Sequence, residues 1–349
     1  MARHLVYVSA HASREILCFG MDGESGALSL LHRTPVPGHE GPSPYSLPLA
    51  VSPDGERLHA VMRMPPYPAA TFRIDRATGA LALLGTARLG DTVCYISVDP
   101  SGRSLVAASH SGNRILNHAI DAHGVLLSEQ RQSIPGLGKA HSVIFDRAGR
   151  FAYAAALGNN TIACFAFDAE RATLDPLSPA AAPPGAGPRH LALHPVLPML
   201  YCINETGGTI DRYAVDPSKG KLTHRQTASV MPPGAPAGDN ARAADIAISP
   251  DGRFLYGSER SHQTLTGFAL DPNDGTMTAI GNWATETEPR GIRIEPAGRF
   301  LLCAGHKSGH LAVHAIDRDS GRLEPIARYP AGDGPNWIEI LPQTKDVNR

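Results

Sequence analysis

The chain has 349 residues, with 32 Lys and Arg against 33 Asp and Glu, a formal charge of −1. That balance offers no basic surface for nucleic acid and no charge run for an anionic membrane. Glycine (35) and proline (30) are abundant, and 42% of the residues are hydrophobic, which implies a sizeable core cut into many short strands by tight turns.

The N-terminal segment MARHLVYVSAHASREI alternates like a strand from the start. It holds no apolar run of signal-peptide length, and no run in the chain reaches transmembrane length. The expected compartment is therefore the cytoplasm, with no membrane partner. Five cysteines (Cys18, Cys94, Cys164, Cys202 and Cys303) show no CxxC spacing and no Cys/His cluster, so buried free thiols are expected and neither a metal nor a cofactor is called for.

From there the chain repeats. An apolar strand runs into a turn whose second residue is Pro53, Pro100, Arg147, Pro195, Pro250, Pro296 and Pro342 in succession, at steps of 47, 47, 48, 55, 46 and 46. A second turn opens on Asp22, Asp75, Asp121, Asp168, Asp216, Asp271 and Asp317, and follows the first by 21 or 22 residues in each of the six complete units. Each unit reads strand, turn, strand, loop, strand, aspartate turn, strand. Four strands per roughly 47 residues is the size of one propeller blade. The fold expected is all-β: a single seven-bladed β-propeller domain over residues 1–349, four antiparallel strands per blade. The N-terminus enters at the second strand of a unit, and GPNWIEILP at the C-terminal end supplies the missing first strand. One blade would thus close the ring and remove open sheet edges. A β-solenoid fits less well, because its coils are shorter and its strands are not joined as hairpins.

The first strand of each blade lines the central channel, so two sets of positions should meet at one mouth. Six residues before the first turn stand Leu47, Cys94, His141, Arg189, Ala244, Arg290 and Asn336. Ten residues after it stand Arg63, His110, Leu157, Glu205, Arg260 and His306, with Ala10 or His11 from the first unit. A position used only for structure should favour one residue type; these vary, and vary toward charge. His141, Arg189, Glu205, Arg260, Arg290 and His306 would gather three guanidiniums, one carboxylate and two imidazoles, a set suited to an anionic, oxygen-rich small molecule. Cys94, between Val93 and Tyr95, reads as packing, and His110, His190 and His194 read as structural. The longest connections, RTPVPGHEGPSPYS and VMPPGAPAGDNARA, both lead to the same end of the next blade, where long loops tend to serve function.

The stretches AHSVIFD, GAGPRHLALHP, YCINE, AADIAISPDGRFLY, TEPRGIRIEPAGRFLLCAGHKSGHLAV and GDGPNWI resemble the seven-bladed propeller lactonases, a family that includes bacterial 6-phosphogluconolactonases. The match spans most of the chain, is weakest at 33–48 and 64–70, and departs at GSER, where family members commonly place Asn or Asp before the arginine. The family also holds a fungal-type carboxymuconate cyclase whose proposed site is a His, an Arg, a Glu and a further Arg; by motif these correspond to His141, Arg189, Glu205 and Arg260. The resemblance implies a lactonase for a sugar-acid lactone, foremost 6-phospho-D-glucono-1,5-lactone. In that chemistry His141 is the candidate base for water, Arg189 the oxyanion partner, and Glu205 the orienting carboxylate or itself the base. Arg260, Arg290, His306 and Asn336 would bind substrate. No nucleophile elbow is present, which argues against an acyl-enzyme. The alternatives are a lactonase or cycloisomerase for an aldarolactone or muconolactone, and a non-catalytic interaction propeller, which 6% aromatic content makes less apt. A monomer or weak homodimer is expected.

Overall fold

The computed structural model describes residues 3–235 and 240–344. Seven antiparallel sheets follow one another around a ring, and the four main strands of each sheet lie in sequence order except in the closing blade, where the last strand of the chain precedes the first. Numbered along the chain, blade one holds Arg3–Ala10, Glu15–Asp22 and Leu28–Pro35, with Pro335–Pro342 as its innermost strand. Tyr7 pairs with Glu339 and His4 with Pro342, so the closing blade joins the two ends of the chain as the repeat requires. Blades two to seven begin at Leu49, Val93, Ala140, Pro188, Ala243 and Pro289. Blade four adds a fifth short strand, Ala180–Ala181, against Thr161–Asp168.

Both repeat landmarks have a physical basis. All seven aspartates of the second turn accept backbone N–H groups from residues two to four further on: Asp22 from Glu24 and Ser25, Asp121 from His123 and Val125, Asp317 from Asp319 and Ser320. This is the side-chain-to-backbone bond that makes aspartate a turn former. The glycine that follows takes a left-handed conformation, at φ +80° for Gly79 and +71° for Gly275, where a Cβ is strained. Blade four has no such glycine and places Ala172 at φ +51° instead. In the first turn, Ser249 Oγ accepts the Phe254 N–H at 2.9 Å. Where blade five has histidine, His194 Nδ1 accepts from Val196 and Leu197. His194 is therefore a turn residue, in line with its structural reading.

Seven apolar clusters sit between the blades, one at each seam. Leu5, Tyr7 and Ile16 of blade one pack on Leu49, Leu58 and Phe72 of blade two; Phe254 and Tyr256 of blade six pack on Ile292 and Leu301 of blade seven. Stability thus comes from face-to-face burial of neighbouring sheets. All five cysteines are buried and unpaired.

Candidate active site

The residues that should gather at the channel mouth are placed there by one repeated device. In blade four Ala140 pairs with Ala156 and Ser142 with Ala155, leaving His141 as an extra, unpaired residue. The same one-residue bulge isolates Arg189 between Pro188 and His190, Arg290 between Pro289 and Gly291, Cys94 between Val93 and Tyr95, and Asn336 between Pro335 and Trp337. Blade six bulges over Ala244 and Asp245. A bulge turns a side chain out of the ladder's alternation. The second set of positions follows directly on the second strands: His110 after Ser109, Glu205 after Asn204, Arg260 after Glu259, His306 after Gly305, and His11 after Ala10.

Glu205 is the centre of the group. Its Oε2 accepts from Arg189 Nε at 2.8 Å, stands 3.2 Å from Arg260 Nη2, and lies 4.0 Å from His141 Nε2. Burial works to raise the Glu205 carboxyl, and the guanidiniums of Arg189 and Arg260 outweigh it, holding the group below the usual carboxylate range. Arg189 is 2% exposed. Its Nη1 donates to Ala244 O and to His190 Nε2, which leaves Nη2 as its one nitrogen without a partner among the described residues. Arg260 donates Nε to Arg242 O at 2.8 Å. Burial, followed by Arg189, lowers its guanidinium to about 10, so it remains charged at neutral pH.

His141 packs edge-on to His190 and His110, with ring centroids 5.2 and 5.7 Å apart. Burial above all, then Arg189, His190 and His110, holds its pKa well below 6.5. The imidazole is neutral at pH 7 and keeps a basic nitrogen. Behind the cluster lies a second chain of contacts. Asp245 Oδ1 accepts from His190 Nδ1 at 2.8 Å, and His190 Nε2 in turn accepts from Arg189 Nη1 at 3.2 Å. Asp245 also accepts the backbone N–H groups of Ile246 and Ile292, each at 2.9 Å. His190 thus carries its proton on Nδ1 and holds Arg189 from the side opposite Glu205.

Arg290 makes no hydrogen bond or ion pair with any described residue. Burial, followed by Arg189, Arg260 and Arg63, lowers it to about 9. A half-buried, unpaired guanidinium among like charges is what an incoming anion relieves. Arg63, which sequence reasoning placed in the second set and did not single out, also has no side-chain partner among the described residues. Its backbone is held by the first long loop, through Ser46 O and Tyr45 N. That loop also meets His11, whose Nδ1 donates to Pro44 O. His11 Nε2 stands 2.7 Å from His306 Nε2, and the two rings stack at 4.8 Å. The structure therefore ties His306 to His11, a partner the repeat offered only as an alternative to Ala10. Asn336 is 3% exposed and accepts from Ser9 Oγ at 3.3 Å, beside the ring closure. Cys94 Sγ donates to Ala108 O and Ala140 O at 3.4 and 3.5 Å, a packed thiol.

The family model for the seven-bladed β-propeller lactonases matches residues 5–340. The chain belongs to that family. It is 37% identical over 292 residues to a 6-phosphogluconolactonase of Serratia proteamaculans, and 35% identical over 291 residues to that of Pectobacterium carotovorum; each alignment covers 83% of this chain and 84% of the relative. Among solved structures, a Bacteroides fragilis protein provisionally assigned as a 6-phosphogluconolactonase superposes with TM-score 0.85 at 25% identity, covering 97% of this chain and 98% of its own. A periplasmic gluconolactonase of Pseudomonas aeruginosa superposes with TM-score 0.87 at 24% identity over 98% of this chain and all of its own, which speaks for the fold alone. The family expectation from the sequence and the seven-bladed fold both hold.

Among the described residues no cluster of three or more His, Cys, Asp or Glu is arranged to hold a metal ion, and no helix is long and apolar enough to cross a membrane. Sequence reasoning missed Asp245 and the part played by His190. The signal available was the acid in AADIAIS directly after a mouth position, but only the bulge reveals that it turns inward.

Proposed function

We propose that this propeller hydrolyses 6-phospho-D-glucono-1,5-lactone to 6-phosphogluconate, with chemistry at His141, Arg189 and Glu205. The observation that carries the reading is the Glu205 carboxylate shared by two guanidiniums, beside a neutral imidazole and an unpaired third guanidinium. The names of the similar proteins, 6-phosphogluconolactonases at 35 to 37% identity, support the substrate.

Water attacks the lactone carbonyl carbon, and His141 takes one of its protons. Negative charge collects on the carbonyl oxygen, where Arg189 Nη2 supplies the donor. Collapse breaks the bond to the ring oxygen, which takes the proton back from His141. The carboxylic acid then ionises, so one proton is released per turnover at neutral pH. Clamped by two cations, Glu205 is a poor base and a good anchor. Arg290, with Arg63, holds the phosphate; phosphate on paired guanidiniums is a strong, charge-assisted contact. Arg260 braces Glu205. The five buried, unpaired thiols suit the reducing cytoplasm.

Proton release from fresh 6-phosphogluconolactone, measured against the spontaneous background, tests the reading. Turnover by the wild-type protein that falls to background in His141→Ala and Arg189→Ala supports it. A wild-type rate equal to background overturns it.

A further inference from the structure

At the end of the ring opposite the mouth, each blade presses the start of its second strand under the aspartate turn of the next blade. Five seams are sealed there by an apolar side chain against the turn glycine: Leu5 on Gly79, Phe151 on Gly220, Met199 on Gly275, Phe254 on Gly321 and Phe300 on Gly26. Two residues further along, Tyr7, Tyr201 and Tyr256 donate to the carbonyls of Gly79, Gly275 and Gly321. The seam between blades three and four carries Ser104 and Val106 at these two positions, and the seam between blades two and three is polar at both. Arg57 replaces the apolar residue and lies against Gly124. His59 replaces the tyrosine.

The result is a polar cavity of about 350 Å³, lined by Asp54, Arg57, His59, Arg103 and Asp121 among others. The corresponding cleft between blades four and five, about 460 Å³, also has Asp146, Arg147, Arg150 and His194 in its wall, but Phe151, Leu193, Val196, Leu197 and Val215 make it more apolar. His59 is fully buried, and its Nε2 has no partner among the described residues. Thr71 Oγ1 accepts the Leu126 N–H at 3.1 Å and also pairs with His59 Nδ1 at 3.1 Å. Whichever of the two gives the hydrogen in that bond, Nε2 is the ring nitrogen left to a ligand, and it is a donor to an anion when the hydroxyl hydrogen goes to Nδ1. Other donors are free at the same place. Arg57 uses Nε on His123 O and Nη1 on Glu56 O, leaving Nη2; Arg103 uses only Nε, on Ser101 Oγ. Asp54 and Asp121 each spend Oδ1 on their own turns and leave Oδ2 to accept.

We propose that this seam is a second ligand site, taking a sugar phosphate: the anion on Arg57, Arg103 and the His59 imidazole, the hydroxyls on Asp54 and Asp121. A bare anion would face two carboxylates as well as two guanidiniums; a polyhydroxylated one satisfies both. The size suits such a ligand, since small-molecule sites begin near 300 Å³.

The test is calorimetric titration of the full chain with 6-phosphogluconate, alongside NMR of the histidine imidazoles. Two molecules should bind. His59→Tyr introduces the residue that four other seams carry at this position, Tyr7, Tyr153, Tyr201 and Tyr256, so it should fold, keep its kcat and bind one molecule; Arg290→Ala should lose the other. Arg103→Gln, which alters no core residue, should weaken the second site about tenfold and guards against a folding defect in His59→Tyr. In the wild type the His59 ring signals should shift on saturation. A stoichiometry of one that is insensitive to His59→Tyr, with His59 signals unmoved, overturns the proposal. Inorganic phosphate binding there as tightly as 6-phosphogluconate overturns the sugar-phosphate assignment.

Discussion

Arg189 Nε meets Glu205 Oε2 at 2.8 Å across neighbouring positions of one blade, with the arginine 2% exposed. The pair fixes the guanidinium plane before any substrate arrives, and such preorganisation is what an oxyanion donor needs. Glu205→Gln should keep the shape and lose the anchor. Three guanidiniums then repel one another with no carboxylate between them. We expect kcat to fall on the order of 10²-fold, with KM unchanged or lower because the net positive charge rises. Steady-state proton release decides it, and a kcat within twofold of wild type would show that Glu205 is dispensable.

Asp245 acts on the reaction through His190. Asp245→Asn removes the carboxylate charge facing His190 and replaces by a donor either Oδ1, which serves His190 and Ile246, or Oδ2, which serves Ile292, so one or two buried N–H groups lose their acceptor, at about 1–3 kcal/mol each. Arg189 loses its rear brace, while Arg63 and Arg290 are untouched. The expected signature is kcat lower by about tenfold at constant KM. A simple loss of folded protein would lower the amplitude of activity in proportion to the native fraction seen by circular dichroism, and nothing more.

The fold was legible because its rules are local. Seven aspartate turns need an Asp at fixed spacing, and the inter-blade seams need apolar alternation, so both left a periodic mark. The mouth set was legible for the same reason: equal offsets from one turn bring His141, Arg189, Glu205 and Arg260 together. What lay hidden depends on departures from period. The bulges that turn out His141 and Arg189 leave no compositional trace, and they carry Asp245 inward from a place that strand alternation would treat as ordinary. His190 read as structural because the partner that gives it a role is 55 residues away.

Stability should fall with acid in a definite window. His59 and His190 are buried and held at about 4, by burial first and then by Arg57 and Arg189 respectively; His141 is also well below its ordinary value. The unfolded chain protonates these groups near 6.5, so below that pH the unfolded state binds more protons. Unfolding becomes easier as pH falls from about 6.5, and the effect saturates near 4. Each fully buried imidazole contributes roughly 3 kcal/mol at the lower end, a large share of a typical stability of about 5–15 kcal/mol. The melting temperature should be level from pH 8 to 7 and drop steeply from 6.5 to 4. A curve still level at pH 4.5 would contradict this.

Arg290 offers the sharpest test of how the substrate is held. It has no partner among the described residues, and burial with its cationic neighbours destabilises its charge. A phosphate that binds it gains a charge-assisted contact worth about 1.5–3 kcal/mol, and that gain is absent for a substrate without phosphate. Arg290→Ala should therefore raise KM for 6-phosphogluconolactone by about 10- to 100-fold with kcat nearly unchanged, because the contact is the same in ground and transition states. Glucono-1,5-lactone, which lacks the phosphate, should lose little in the same variant. The quantity to compare is the ratio of kcat/KM for the two lactones. If that ratio collapses toward one in Arg290→Ala, the guanidinium reads the phosphate. If both substrates lose equally, Arg290 serves the lactone ring or the fold, and phosphate recognition must rest on Arg63 and Arg260.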